Sequence, residues 1–347
     1  MIDIKFDLND IQIIPAITSD IRSRSEVESR YESILPIIVS PMDSVIDENN
    51  YNQFVNCGMM VCLPRGINEN MLKDNKSVYR DNIFYSFGLD EIEKKINVNE
   101  SLPSNILLDI ANGHMGIIIT LIKRIKSEYI GTKIMVGNIA NPETYKVLSE
   151  AGADYIRVGI GGGSGCITSS NTGVHYPMGS LIKECKDIKN NSFKENKVHY
   201  AFIVADGGFK NYSDIIKGLA LGADFVMLGG ILNKCIESCA PSYYKGIKLN
   251  NKLATFLFKR KIKLTKSFRG MATKEVQKKW GRKTLKTAEG LKRTNNVEYT
   301  LKGWTENFED YLKSTMSYTN SYRLYDDFIG KTKYVFISAN AYNRFNK

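Results

Sequence analysis

The sequence predicts a (β/α)8 (TIM) barrel of the α/β class. Three observations carry that expectation. From residue 35 onward, short apolar runs alternate with helix-length segments, which is the pattern of a parallel sheet. Seven of these runs are clear and an eighth is fainter, a number that suits a closed barrel better than an open sheet. Polar or glycine motifs lie at or just beyond the ends of the runs, where a barrel builds its site.

In chain order the strand candidates begin with Leu35–Val39 and Met59–Leu63, followed by the fainter run near Tyr79–Gly88. Asn105–Ile110, Lys133–Val136, Tyr155–Val158, Ala201–Val204 and Phe225–Leu228 complete the set. Between them, Gly116–Ile130 and Pro142–Ala151 carry apolar residues at helical spacing. Pro142 followed by Glu143 is a helix start and Gly152 a helix stop. Beyond residue 250 the alternation ends. Phe268 to Lys302 reads as an irregular basic flap with a short helix about Lys274–Trp280. Trp304 to Tyr325 reads as an amphipathic helical tail and Tyr334–Ser338 as a short last strand. The expected organisation is one barrel domain over 1–347, with the flap at about 251–303 and the C-terminal helical tail at about 304–347.

The chain has 347 residues, 43% of them hydrophobic and 24% charged, in the range of soluble globular proteins. No signal-peptide pattern opens it and no apolar run is long enough to span a bilayer, so no membrane association is expected. Six cysteines without a CxxC pair suit a reduced, cytoplasmic protein. Cys235 and Cys239 could share a helix face, but with three histidines in the chain they read as core thiols rather than zinc ligands. The net charge of +11 is concentrated between Asn251 and Arg293, where fifteen Lys or Arg face only Glu275 and Glu289. One segment thus carries the whole excess. That favours an element closing over phosphorylated small molecules rather than a nucleic-acid surface, the plainer reading being a solvated basic loop.

The stretch from Arg157 to Pro177 concentrates the chemistry. Gly159, Gly161, Gly162, Gly163 and Gly165 follow a strand, and Cys166 sits among them. Glycines permit a tight curl whose N–H groups can hold an anion and whose carbonyls can face a cation. A thiol placed there is accessible for reaction. The alternative is an ordinary glycine-rich turn that contains a cysteine. Asp206-Gly207-Gly208 and Gly229-Gly230 follow the last two strand candidates, where barrels commonly bind phosphate through backbone N–H groups. The Asp206 carboxylate suits a ribose diol, or else caps the next helix.

The wording of these motifs resembles one family. GIGGGSGCIT over Gly159–Thr168, followed by TGVHYP, resembles the catalytic loop of the IMP dehydrogenase/GMP reductase family, with TGVHYP nearer the reductase branch. Ser23-Arg24-Ser25-Glu26-Val27-Glu28 is similar to the reductase SRSxVE, Leu108–Gly113 to its LDxANG, and Gly137-Asn138 to its GN. Val204–Gly208 resembles VxDGG, Gly222–Gly230 resembles GADFVMLGG, and Arg269-Gly270-Met271 with Ala288-Glu289-Gly290 completes the series. The dehydrogenase branch carries an inserted pair of CBS domains, for which this chain has no room.

The resemblance implies a purine nucleotide as substrate, NADPH as cofactor, a homotetramer, and a covalent intermediate on Cys166. Thr168 and Glu289 would relay the proton that lets the 2-amino group of GMP leave as ammonia. The nucleotide would be held by Met42, Asp206, Gly207, Gly208, Gly229, Gly230, Gly270, Met271, Ala272, Lys286 and Gly290. NADPH would meet Ser23, Arg24, Asp109, Ile110, Ala111, Ile160, Gly161, Met271, Lys286, Ser314 and Tyr318, some of them from a neighbouring subunit. Carbonyls of Gly161, Gly163 and Cys166 match the family's monovalent-cation site, usually potassium (K+).

The chain also departs from the pattern. Lys286 replaces the family's arginine, keeping charge but losing the bidentate fork. Ser169 replaces the arginine that follows the catalytic threonine, and Ile167 replaces a threonine beside the nucleophile. Leu63, Pro64 and Arg65 stand where the reductase has HKH, so Arg65 would supply that charge from one position further on. Two alternatives remain open: a dehydrogenase without CBS domains oxidising IMP with NAD, and an idle homologue that only binds nucleotides. The first would need the Arg-Tyr pair of the dehydrogenase flap, which is missing from residues 251–303.

Overall fold

The computed structural model describes residues 4–72, 81–163, 165–194, 200–271, 273 and 290–345. A short N-terminal strand, β1 (Ile11–Ile13), precedes eight parallel strands that close into a barrel in sequence order. These are β2 (Ile37–Val39), β3 (Met60–Leu63), β4 (Ile83–Phe87), β5 (Asn105–Asp109), β6 (Lys133–Ile139), β7 (Tyr155–Val158), β8 (Phe202–Asp206) and β9 (Phe225–Leu228). β9 pairs back onto β2, with Ile37 opposite Val226, and completes the ring. The predicted fold class is therefore the observed one.

The strands are buried on both faces, and alternation along each one divides its side chains between two environments. Ile38, Met60, Cys62, Phe84, Leu107, Met135, Tyr155, Val204, Phe225 and Met227 fill the barrel interior. Their neighbours, such as Ile156, Val158, Ile203 and Ala205, pack outward beneath the surrounding helices. Those helices are α1 (Tyr51–Asn56), α2 (Leu89–Asn97), α3 (Gly116–Glu128), α4 (Pro142–Glu150), a short α5 (Thr168–Thr172), α6 (Met178–Lys194), α7 (Tyr212–Leu221) and α8 (Gly230–Asn233). Helix α4 starts as its sequence requires, with the Asn141 side chain accepting from Glu143 N and Pro142 in the first turn.

Past the barrel the structure departs from the sequence expectation. Strands β10 (Ser242–Tyr244), β11 (Ile247–Leu249), β12 (Thr265–Arg269) and β13 (Lys292–Asn296) form an antiparallel sheet in the order β11-β10-β12-β13, with α9 (Asn251–Lys259) beside it. Phe268 and Arg269 therefore belong to a strand, not to an irregular flap. The pattern was hidden because Lys266 takes a fully inward position, donating to the carbonyls of Ile236 and Ser238 and to the Ser238 hydroxyl. β13, Lys-Arg-Thr-Asn-Asn, contains no apolar residue at all. The helix expected at Lys274–Trp280 lies outside the described residues.

The tail helix, α10 (Leu301–Tyr318), starts three residues earlier than expected and ends seven earlier, capped by the Thr300 hydroxyl accepting from Gly303 N. It buries Leu301, Trp304, Phe308, Leu312 and Met316 on one face. β14 (Tyr334–Phe336) pairs antiparallel with β1, and α11 (Ala339–Phe345) follows. Among the described residues no helix is long and apolar enough to cross a membrane.

Candidate active site

The C-terminal ends of the barrel strands surround a cavity of about 820 Å3. Its walls include Cys166 and Thr168 from the loop after β7, Asp109, Ile110 and Ala111 after β5, and Asp206, Gly207 and Gly208 after β8. Met42, Gly229 and Gly230 close another side, and Gly270 with Met271 reaches in from the end of β12. Ile160, Gly161 and Gly163 line the same space. The structure thus brings together most of the residues singled out for substrate and cofactor.

Cys166 is half-buried, and its thiol donates to Thr168 Oγ1 at 3.2 Å. Two contacts fix the loop that carries it. On one side Gly163 abuts the turn after β8, where Gly207 has φ +97° and a Cβ would come within 2.9 Å of Gly163 N. On the other side Leu291 N donates to Gly165 O at 2.9 Å and Gly270 N to Leu291 O at 3.0 Å. Cys166 itself bridges to Gly290, which ties its backbone to the far end of the basic segment. Arg269 anchors that segment's base through a two-pronged pair with Asp43, beyond β2.

An ionic network beneath the cavity was not singled out from the sequence. Arg157, inward-facing on β7 and buried, bonds Asp109 Oδ1 and Asp206 Oδ2, each at 2.8 Å. Burial works against its charge, but the two carboxylates outweigh that and hold its pKa above the ordinary value. Asn138 Nδ2 donates to the same Asp206 oxygen at 2.8 Å. Gly137 opposite leaves room for the close approach of β7, since a Cβ there would come within 2.6 Å of both Arg157 Cβ and Arg157 O. The described hydrogen bonds at Asp206 all fall on Oδ2. It does not cap α7, whose N-cap is Asn211 accepting from Asp214 N. The available signal was an arginine inside an apolar strand, which must find carboxylates if it points inward.

Arg65 also faces the cavity. Its Nε lies 3.3 Å from Asp109 Oδ2, and its Nη2 donates to the Asp109 carbonyl. Asp109 therefore takes two guanidiniums, one from each side. Removing Arg157 would leave Asp109 and Asp206 facing each other without their shared cation. Arg157→Met is expected to cost about 3–5 kcal/mol of folding stability. Arg157→Lys should recover part of that, as measured by denaturant titration. A methionine variant as stable as wild type would show the network to be energetically idle.

Several expected site residues lie elsewhere. Ser314 and Tyr318 on α10 line a separate cavity of about 570 Å3. Ser23 caps the 3-10 turn Arg24–Glu26, which packs against α10. None of these four lines the Cys166 cavity. Ala272, Lys286 and Glu289 lie outside the described residues. A second ligand beside one at Cys166 fits the residues present, because Asp109, Ile110, Ala111, Ile160 and Met271 share the cavity with Cys166. A cation on the loop carbonyls fits them poorly. Gly161 O already accepts from Ser169 Oγ and Gly163 O from Cys166 N, at 3.1 and 2.9 Å.

Comparison with known proteins agrees with this architecture. A family model described as the IMP dehydrogenase / GMP reductase domain matches residues 70–344. A protein named GMP reductase from Streptococcus gordonii (strain Challis) is 32% identical over 246 residues, 67% of this chain and 71% of that protein. Another of that name, from Streptococcus pyogenes serotype M5 (strain Manfredo), is 32% identical over 244 residues, again covering 67% and 71%.

Proposed function

Because the chain belongs to the IMP dehydrogenase/GMP reductase family, we propose that it is a GMP reductase, converting GMP, NADPH and two protons into IMP, NADP+ and ammonium. The observation that carries the reading is the Cys166 thiol against the Thr168 hydroxyl at the mouth of the barrel cavity. The sulfur, as thiolate, forms a bond to C2 of the purine. Thr168, together with Glu289, delivers a proton to the 2-amino nitrogen, whose bond to C2 then breaks to release ammonia and leave a thioimidate on Cys166. NADPH, when bound, supplies a hydride to C2. The C–S bond then breaks and its electron pair returns to Cys166, which serves as both nucleophile and leaving group.

The other roles follow the walls. The glycine turns at Gly207-Gly208 and Gly229-Gly230 offer backbone N–H groups to the nucleotide phosphate, and Asp206 faces the ribose. Asp109, Ile110, Ala111, Ile160 and Met271 would hold the part of the cofactor that enters this cavity. Ser23, Arg24, Ser314 and Tyr318, which lie off this cavity, serve a cofactor bound on a neighbouring copy in a homotetramer. The dehydrogenase reading is disfavoured because residues 251–303 contain no Arg-Tyr pair to activate water.

Lys286 is assigned to the 2′-phosphate that separates NADPH from NADH. Lys286→Ala should weaken NADPH by about tenfold or more, the effect of losing a charge-assisted hydrogen bond. NADH should be little changed, and the difference should shrink at high salt. Steady-state KM values for the two cofactors measure it. Equal losses for both would assign the residue to a phosphate they share.

A further inference from the structure

Four carbonyls in the loop between β7 and Cys166 accept hydrogen bonds from the chain itself. Asn138 Nδ2 donates to Gly159 O at 2.9 Å and the His175 ring, through Nδ1, to Ile160 O at 2.8 Å. Ser169 Oγ donates to Gly161 O at 3.1 Å and Cys166 N to Gly163 O at 2.9 Å. Each bond occupies a lone pair and sets a partial positive charge beside the oxygen, so the carbonyl is a poorer ligand for a cation. The Ser169 bond is the one that closes the loop, joining its start at Gly161 to the first turn of α5. A Cβ on Gly161 would meet the Ser169 side chain at 2.5 Å, so the two residues are packed as well as bonded. Thr168, the partner of the thiol, adjoins Ser169 in that same turn.

We propose that the chain's own donors, with the Ser169 hydroxyl on the Gly161 carbonyl as the closing tie, hold the cysteine loop in its working shape, so that Cys166 chemistry needs no monovalent cation. Ser169 is a positioning residue: it acts through the loop that carries Cys166 and Thr168. The inference rests on reading Cys166 as the reacting thiol, but its test does not require that the reaction be GMP reduction.

The experiment measures iodoacetamide alkylation of Cys166, followed on its peptide by mass spectrometry, in potassium, sodium and choline chloride at one ionic strength. GMP turnover is measured in the same three salts. Wild type should alkylate and turn over at the same rate in all three. Ser169→Ala should alkylate about threefold to tenfold faster in choline, the effect of losing one hydrogen bond. Its kcat should fall by a similar factor with little change in the KM for GMP. Ser169→Thr, which keeps the hydroxyl, should restore wild-type behaviour. A saturable rise of wild-type alkylation or turnover with potassium would overturn the claim. So would a Ser169→Ala variant that alkylates like wild type in choline. Cation-independent alkylation that depends on Ser169, without any GMP turnover, would uphold this inference and reject the proposed reaction.

Discussion

Cys166→Ala is expected to bind GMP about as well as wild type and to lose turnover by a factor on the order of 10^4 or more. The size follows from the site's construction. Among the described residues that line the cavity Cys166 carries the one thiol, and none of the carboxylates, guanidiniums, hydroxyls, amides or apolar side chains beside it can both attack C2 and leave from it. Binding should survive because the phosphate and ribose positions proposed above are the turns after β8 and β9, which keep their residues in this variant. The remaining five cysteines offer no substitute: none lines the cavity, and burial pushes the thiols of Cys57, Cys62, Cys185, Cys235 and Cys239 up in pKa. Isothermal titration with GMP and a stopped assay for ammonia separate the two effects. A variant that turns over near the wild-type rate would remove the covalent step from the mechanism.

Glu289→Gln carries the next largest expected effect. Proton delivery by a positioned acid is worth roughly 10^2–10^4 in rate, and glutamine keeps the shape while removing the proton. Thr168 stands 3.2 Å from the Cys166 sulfur, and Gly290, the residue after Glu289, bridges to Cys166. Single-turnover measurement of ammonia release should show the loss, while the GMP dissociation constant stays within about threefold. Equal ammonia release in the glutamine variant would take Glu289 out of the relay.

Much of the fold and of the site was legible in the sequence, for identifiable reasons. The barrel strands are nearly continuous apolar runs because helices cover them outside and apolar side chains fill the interior, so Tyr155–Val158 and Phe225–Leu228 could be read with their observed boundaries. Cys166 stood out because five glycines lie in the seven residues before it, and Asp109 and Asp206 because they terminate apolar strands. The antiparallel sheet was illegible for the opposite reason. Its buried Lys266 is solvated by carbonyls that come from residues 236 and 238, and its outer strand β13 is polar throughout. Arg157 was visible as a charge inside a strand. Its partners, however, sit on β5 and β8, far away in sequence, and only the closed barrel sets both within hydrogen-bonding distance. The Ser169 tie was likewise invisible, since a serine replacing an arginine looks like the loss of a contact.

One paired incubation decides the direction of the chemistry. The purified protein is given GMP with NADPH in one vessel and IMP with NAD+ in another, with ammonia, IMP and XMP resolved by chromatography. Ammonia and IMP should form in equal amounts in the first, in step with loss of the reduced-nicotinamide absorbance, while the second yields little or no XMP. Steady XMP formation from IMP, with no ammonia from GMP, would contradict the account.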